Sequence, residues 1–259
     1  MHSPARTLGA RLFPQGRWDL VRQLLLFAGA YYLYRLVRGA VDGRVAVSFE
    51  NGRQLISAER SLHIFAEPST QAWASSKEWL IDFCSWMYIN SHFVITVSSL
   101  IFLYLWRNEA FYFVRNMFMV SMAIALIGYV VYPAAPPRFF HEWGFQDSVA
   151  DFTGVPQDSA VSNALFNPFA AVPSMHVAFA LMIGWSMVRL ARHRLVKVLW
   201  LLYPFLITFV VVATGNHFFL DAVLGALTAA VSFYLAHMLL ARARPHAWAF
   251  RDARAGVTA

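Results

Sequence analysis

Six long apolar runs separated by polar connections constrain this chain more than any other feature. They fall at approximately 20–37, 85–106, 111–132, 171–190, 196–214 and 218–240. A bilayer core of about 30 Å takes about 20 mostly apolar residues per helix, and each run meets or nearly meets that length. Runs this long lack the ten-residue alternation of barrel strands, and in lipid they satisfy their own backbone only as helices. The expected fold is all-α: a polytopic membrane protein with six transmembrane helices. Composition agrees, because 59% of the residues are hydrophobic and 14% charged, against about 25% charged in an average soluble domain.

The net charge of +7 invites a nucleic-acid reading. The basic residues, however, sit at the ends of apolar runs and form no aromatic-interleaved polar patch, so no nucleic acid is expected as a partner. Their distribution gives orientation instead, since short loops rich in Lys and Arg stay cytoplasmic. Arg6, Arg11 and Arg17 precede the first run; Arg107 and Arg115 lie between the second and third; Arg189, Arg192, Arg194 and Lys197 join the fourth and fifth. Arg242, Arg244, Arg251 and Arg254 follow the sixth. The segment 133–170 holds Arg138 among Glu142, Asp147, Asp151 and Asp158. Both termini are therefore expected in the cytoplasm and 133–170 outside, with the plasma membrane as the expected location. No small-residue cleavage site follows the first run, which is expected to remain as an anchor. Cys84, the single cysteine, allows no intrachain disulfide or paired-cysteine zinc site and reads as a packing residue.

The expected organisation is an anchor helix with an external segment at 1–84, a membrane core at 85–241 and a basic cytoplasmic tail at 242–259. Within the external segment, residues 51–65 place Leu55, Ala58, Leu62 and Phe65 on one helical face, with Arg53, Glu59 and Arg60 elsewhere. That spacing predicts an amphipathic interfacial helix lying on the membrane, ended or interrupted by Pro68.

Three motifs fall at the same outer boundary once this topology is drawn. Tyr132-Pro133-Ala134-Ala135-Pro136-Pro137-Arg138 leaves the third run, loses helicity at its prolines and delivers Arg138; the plain alternative is an arginine snorkelling to lipid headgroups. Val172-Pro173-Ser174-Met175-His176 opens the fourth run. Proline suits a first helical turn, and the unpaired amides behind it favour phosphate, as do the Ser174 hydroxyl and the helix dipole. The alternative there is a capping serine beside an interfacial histidine. Thr214-Gly215-Asn216-His217-Phe218-Phe219-Leu220-Asp221 crosses the last outer turn. His217 and Asp221 are four apart; on one helical face the carboxylate takes a proton from one ring nitrogen and leaves the other as a nucleophile. A purely structural His–Asp pair is the alternative.

These runs resemble the type 2 phosphatidic acid phosphatase superfamily, and within it the inositol phosphorylceramide synthase-like branch. The resemblance covers about residues 85–240 and rests on Pro-Ser-x-His ending at His176 and His-x-x-x-Asp from His217 to Asp221. It implies six membrane helices with an extracytoplasmic site, where His217 attacks phosphorus, Asp221 supports it and His176 protonates the departing oxygen. Arg138 matches the first-motif arginine and Ser174 the second-motif serine, so the implied substrate contacts are Arg138, Ser174 and Met175. The hydrolase branch carries a lysine where this chain has Val131, and Ser-Arg where it has Val210 and Val211. Those departures favour the phosphotransferase branch and suggest apolar walls at the three valines.

The implied activity is that of a membrane lipid phosphatase or head-group phosphotransferase working through a phosphohistidine. Its partners are a lipid phosphate or phospholipid, the bilayer and an alcohol acceptor; no cofactor or metal is called for, and the oligomeric state is left open. The alternative is a membrane transporter or proton relay using the same His/Asp cluster, which predicts ionisable residues at several depths. A scaffold role leaves both histidine motifs without a purpose.

Overall fold

The computed structural model describes residues 8–41, 44–155 and 169–251; Arg6, Asp158, Arg254 and the tail beyond 251 lie outside them. Its elements are all helical. After α1 (Leu8–Leu12) come α2 (Arg17–Val41), α3 (Val45–Ser61) and α4 (Glu67–Ser75). Next, α5 (Glu78–Trp86) runs through a π-helical turn, Met87–Ser91, into α6 (His92–Trp106). They are followed by α7 (Asn108–Val131), α8 (Ser148–Thr153), α9 (Met175–Leu190), α10 (Arg194–Ala213) and α11 (Phe219–Leu235). A second π-helical turn, Ala236–Leu240, leads into α12 (Ala241–Ala243), and α13 (Pro245–Trp248) ends the described chain.

Four helical runs are long and apolar enough to cross a membrane: Glu78–Trp106, Asn108–Val131, Arg194–Ala213 and Phe219–Ala243. The first passes unbroken through residue 84. α9 is also apolar but has 16 residues. α2 has the length, 25 residues, and carries Arg17, Asp19, Arg22, Arg35 and Arg38. Large apolar side chains such as Phe93, Leu195, Leu201, Phe205 and Leu239 point outward, as surfaces solvated by lipid require.

One apolar core joins α6, α7 and α9 around Phe113, Met117, Phe118 and Ile183, with Phe118 stacked on Phe179 at 4.6 Å. A second joins α5, α9 and α10 through Cys84, Ala180, Ile207 and Val211. Cys84 is a buried packing residue, and burial lies behind its inertness. Two glycines let backbones close on the segment before α9. A Cβ on Gly128 of α7 would meet Pro173 Cδ at 2.9 Å, and one on Gly225 of α11 would meet the Ser174 carbonyl at 2.3 Å.

Three expectations are corrected by this packing. Arg115 belongs to no loop: it lies buried inside α7, where it donates to Gln23 Oε1 at 2.9 Å and Asn116 Oδ1 at 2.7 Å. Tyr112 donates to Asp19 in the same cluster at 2.6 Å, so polar groups tie α2 to α7. Pro68 ends no helix; α3 stops at Ser61, and Pro68 occupies the first turn of α4, where its missing N–H is harmless. The amphipathic helix is present, but its buried stripe runs through Ser48, Asn51, Gly52, Leu55, Ile56 and Glu59. Ala58 and Leu62 face outward. The reason is that α3 packs on protein backbone, which rewards polar side chains. Asn51 Nδ2 donates to the Pro133 carbonyl at 2.8 Å, and the Ser48 carbonyl accepts from Ala135 N at 2.8 Å.

Candidate active site

The proline-rich exit from α7 places Arg138 in a single 3₁₀ turn, Pro137–Phe139. Its backbone N–H donates to the Gly215 carbonyl at 2.8 Å, and Nη1 donates to Asn216 Oδ1 at 2.6 Å. Asp147 Oδ2 lies 3.8 Å from Nε. Arg138 is only 5% exposed, which removes the snorkelling alternative and makes it an interior cation tied to the His217 loop. Gly215 supports this loop with φ +68°, and a Cβ there would meet Gln71 Nε2 at 2.9 Å.

The second motif enters beside the first through one parallel backbone bridge, Ala134 with Ala170. Ser174 is the N-cap of α9, yet its hydroxyl makes no capping bond. It is fully buried, and among the described residues Oγ has no hydrogen-bond partner, whereas a buried hydroxyl is normally satisfied. Its backbone N–H donates to the Asp221 carbonyl at 3.0 Å, locking the second motif to the third. Met175 turns away, packing against the core around Phe118 and Ile183.

The third motif departs from the expected helical face. α11 starts at Phe219, so His217 precedes it in extended chain, and Asp221 folds back over the helix start. Asp221 Oδ2 accepts from Phe218 N at 3.0 Å and lies 3.4 Å from His217 Nδ1. One carboxylate oxygen thus caps the helix and orients the ring together. His217 N and Asn216 N both donate to the Val211 carbonyl, at 3.1 and 3.0 Å. Burial first and the Arg138 guanidinium second push the His217 imidazole down to about 3, while a hydrogen bond to the Ala171 backbone carbonyl acts the other way. The ring is neutral at pH 7, the state a nitrogen nucleophile needs.

His176, in the first turn of α9, faces His217 with ring centroids 5.6 Å apart. Sequence reasoning missed what surrounds it. Tyr88, in the π-helical turn, stacks on His176 at 4.6 Å, and His92 lies 5.0 Å away. His92 is 5% exposed, its Nδ1 is 2.9 Å from the Tyr203 hydroxyl, and its Nε2 has no partner among the described residues. A histidine inside an apolar run is expensive and is a site candidate by default, a signal the sequence carried at His92. π-Helical turns also recur at functional sites. Of the three valines, Val210 and Val211 are buried, whereas Val131 is 73% exposed on the outer face of α7. It walls nothing, because α7 ends there and the chain turns inward only through Pro133.

Among the described residues, no group of three acidic, histidine or cysteine side chains is arranged to hold a metal ion. The fold and site together define a helical membrane protein with two facing histidines, a carboxylate partner and a buried arginine at the mouths of its helices. The chain belongs to the PAP2 superfamily, whose family model matches residues 53–235. Members of that superfamily are phosphatases, which makes a phosphatase or phosphotransferase activity the expected class here. The match begins at residue 53, within α3, so most of that helix is part of the family unit. No curated protein and no solved structure matches the chain.

Proposed function

We propose that this chain is a lipid phosphatase or lipid head-group phosphotransferase that works through a phosphohistidine at the extracytoplasmic end of a six-helix membrane domain. The observation that supports it is the convergence of His176, His217 and Asp221 with the buried Arg138 and the unpaired Ser174 hydroxyl. Asp221 takes the Nδ1 proton side of His217, leaving Nε2 to attack phosphorus. The P–N bond forms as the P–O bond to the leaving group breaks, and His176 gives a proton to the departing oxygen. Water or an alcohol then attacks phosphorus, the P–N bond breaks, and His176 recovers a proton. Arg138 and Ser174 offset the phosphate charge, since phosphoryl transfer depends mainly on placement and electrostatic stabilisation.

In this reading α2 and α9 complete the six spans, and both termini face the cytoplasm. Sixteen residues of α9 rise about 24 Å, short of a core of about 30 Å. The buried stretch Ala171–Ser174 makes up the remainder, so the site sits slightly sunken. The transporter alternative is weaker: the Asp19–Arg115 cluster lies near the other end of α7, about 24 Å from its exit by helical rise. The aromatic core around Phe118 and Phe179 fills the space between.

The reading is tested on purified protein with a panel of lipid phosphates and diesters, with acid-labile phosphoenzyme trapped during turnover. His217→Ala is expected to abolish the phosphoenzyme, and His176→Ala to slow its formation by about 10²- to 10⁴-fold, most for poor leaving groups. Equal losses in both variants, whatever the leaving group, would show the roles to be misassigned.

A further inference from the structure

Two carboxyl groups are carried into the interior by the segment preceding the core, and the phosphotransfer scheme uses neither. Glu59 lies on the last turns of α3 and Glu67 opens α4; both are 0% exposed. Glu59 Oε1 accepts from Leu220 N at 2.7 Å, and Glu67 Oε1 from Phe219 N at 2.8 Å. With Asp221 Oδ2 on Phe218 N, three successive amides at the start of α11 are each held by a different buried carboxyl. Free amide donors and the positive dipole end account for one oxygen of each. The second oxygens, Oε2 of Glu59 and of Glu67, are buried without a donor among the described residues. The two side chains are neighbours, and Glu67 acts on Glu59 both as a hydrogen-bonding group and as a charge. Two carboxylates in contact inside a protein do not both ionise, and one proton between them turns two orphan acceptors into a donor and an acceptor. Burial first and the Glu67 contact second push the Glu59 carboxyl up to about 9, with the Leu220 amide pulling it down.

We propose that Glu59 and Glu67 share one proton and act as positioning residues, clasping the start of α11 so that Asp221 and His217 keep their relative placement. The groups that face the pair are Asp221, whose charge acts on Glu59 and on which Glu67 acts in turn, and beyond it His217, on which Arg138 acts. Loss of the shared proton leaves two like charges in contact beside a third carboxyl. The clasp then loosens and the first turn of α11 is free to shift. The inference rests on the phosphohistidine reading and assigns the external segment to the catalytic machinery's support.

The test compares the full chain with Glu59→Gln and Glu59→Ala. Glutamine carries the hydrogen permanently: its Oε1 accepts from Leu220 and its Nε2 donates to Glu67. Glu59→Gln is expected to keep most of the turnover and to lose the alkaline limb of the kcat profile. Glu59→Ala is expected to lose about 10²-fold in kcat, as for a catalytic group displaced by about 1 Å, with a smaller change in KM. Alanine with wild-type kcat and pH profile overturns the proposal, as does glutamine that is damaged like alanine and keeps the alkaline limb. The shared proton is read without substrate, as an infrared band of a protonated carboxyl at neutral pH that Glu59→Gln removes; its absence in the wild type also overturns the proposal. Should the wild type turn over no lipid phosphate, the phosphotransfer reading falls. The clasp is then judged by that band and by the His217 imidazole titration, which must differ between wild type and Glu59→Gln.

Discussion

His217 and Glu59 both meet the start of α11, one through Asp221 and the other through Leu220 N, and burial displaces them in opposite directions. The sign of each effect on stability follows from which state binds more protons. For His217 the folded value is about 3 against an ordinary 6.5, so between those values the unfolded chain holds the extra proton. Stability from this group rises with pH up to 6.5 and is lost as pH falls towards 3. For Glu59 the folded value is about 9 against an ordinary 4.5. Here the folded chain holds the extra proton, and stability falls as pH rises from 4.5 to 9. The two slopes oppose each other only between 4.5 and 6.5, so these groups place the stability maximum there. Thermal unfolding in detergent across pH checks this. His217→Gln is expected to flatten the acid side and Glu59→Gln the alkaline side; a maximum above pH 9 would contradict the Glu59 assignment, and one below pH 3 the His217 assignment.

At the scale of elements, the site depends on how closely α7 and α11 approach the chain before α9. Gly225 has no room for a methyl group, with the Ser174 carbonyl 2.3 Å from where its Cβ would stand. Gly225→Ala must push α11 away from Ser174 and strain the Ser174 N to Asp221 carbonyl bond. The expected loss is about 1–3 kcal/mol, typical of overpacking, with a larger proportional fall in turnover than in substrate affinity. Chemical unfolding and steady-state kinetics on the same preparation measure it, and a variant with unchanged kcat would separate this contact from catalysis. Such contacts also mark what the sequence withholds. The helix starts at Ser174 and near Asp221 were legible because Pro, Ser, Gly and Asn punctuate helix ends. The apolar runs at 111–132 and 196–214 were legible because lipid demands length. Glu59 was misplaced because amphipathic counting takes the apolar side of a helix as the buried one. α3 instead packs on exposed amides and carbonyls, where a carboxyl is the better partner. Arg115 was read as a loop residue for a related reason: a charge inside a helix needs partners, and Gln23 comes from a position 92 residues away that spacing does not connect to it. Asp221 meets His217 as foreseen, but through a fold-back at the helix start that a four-residue interval does not specify.

For the whole molecule, the proposed orientation carries a simple expectation. After Cys84→Ser, cysteines placed at 189–197 should resist an impermeant thiol reagent in intact cells, while those at 141–147 should react; the reverse pattern would invert the membrane topology. The choice of acceptor is the larger question. Where the hydrolase branch carries Ser-Arg this chain has Val210 and Val211, both buried in the core, and where that branch carries a lysine it has Val131, which faces outward at 73% exposure. None of the three supplies charge; Val210 and Val211 serve the His217 loop through their carbonyls, which accept from the amides of Thr214, Asn216 and His217. Arg138 is committed to Asn216 and lies near Asp147, so part of its charge is already offset within the protein. A phosphomonoester dianion loses more from this than a diester with one negative charge, because the missing partners act on each unit of charge. In the proposed mechanism a diester donor would deliver a head group to His217, and an alcohol would then compete with water for the covalent intermediate. The expected outcome is faster turnover of a phospholipid diester than of the matching monoester, with a new lipid formed in preference to the hydrolysed head group when an alcohol is abundant. Product partition by mass spectrometry decides it. A clear preference for the monoester, with free phosphate as the sole product under saturating alcohol, would replace the transferase with a plain phosphatase and leave the histidine chemistry in place.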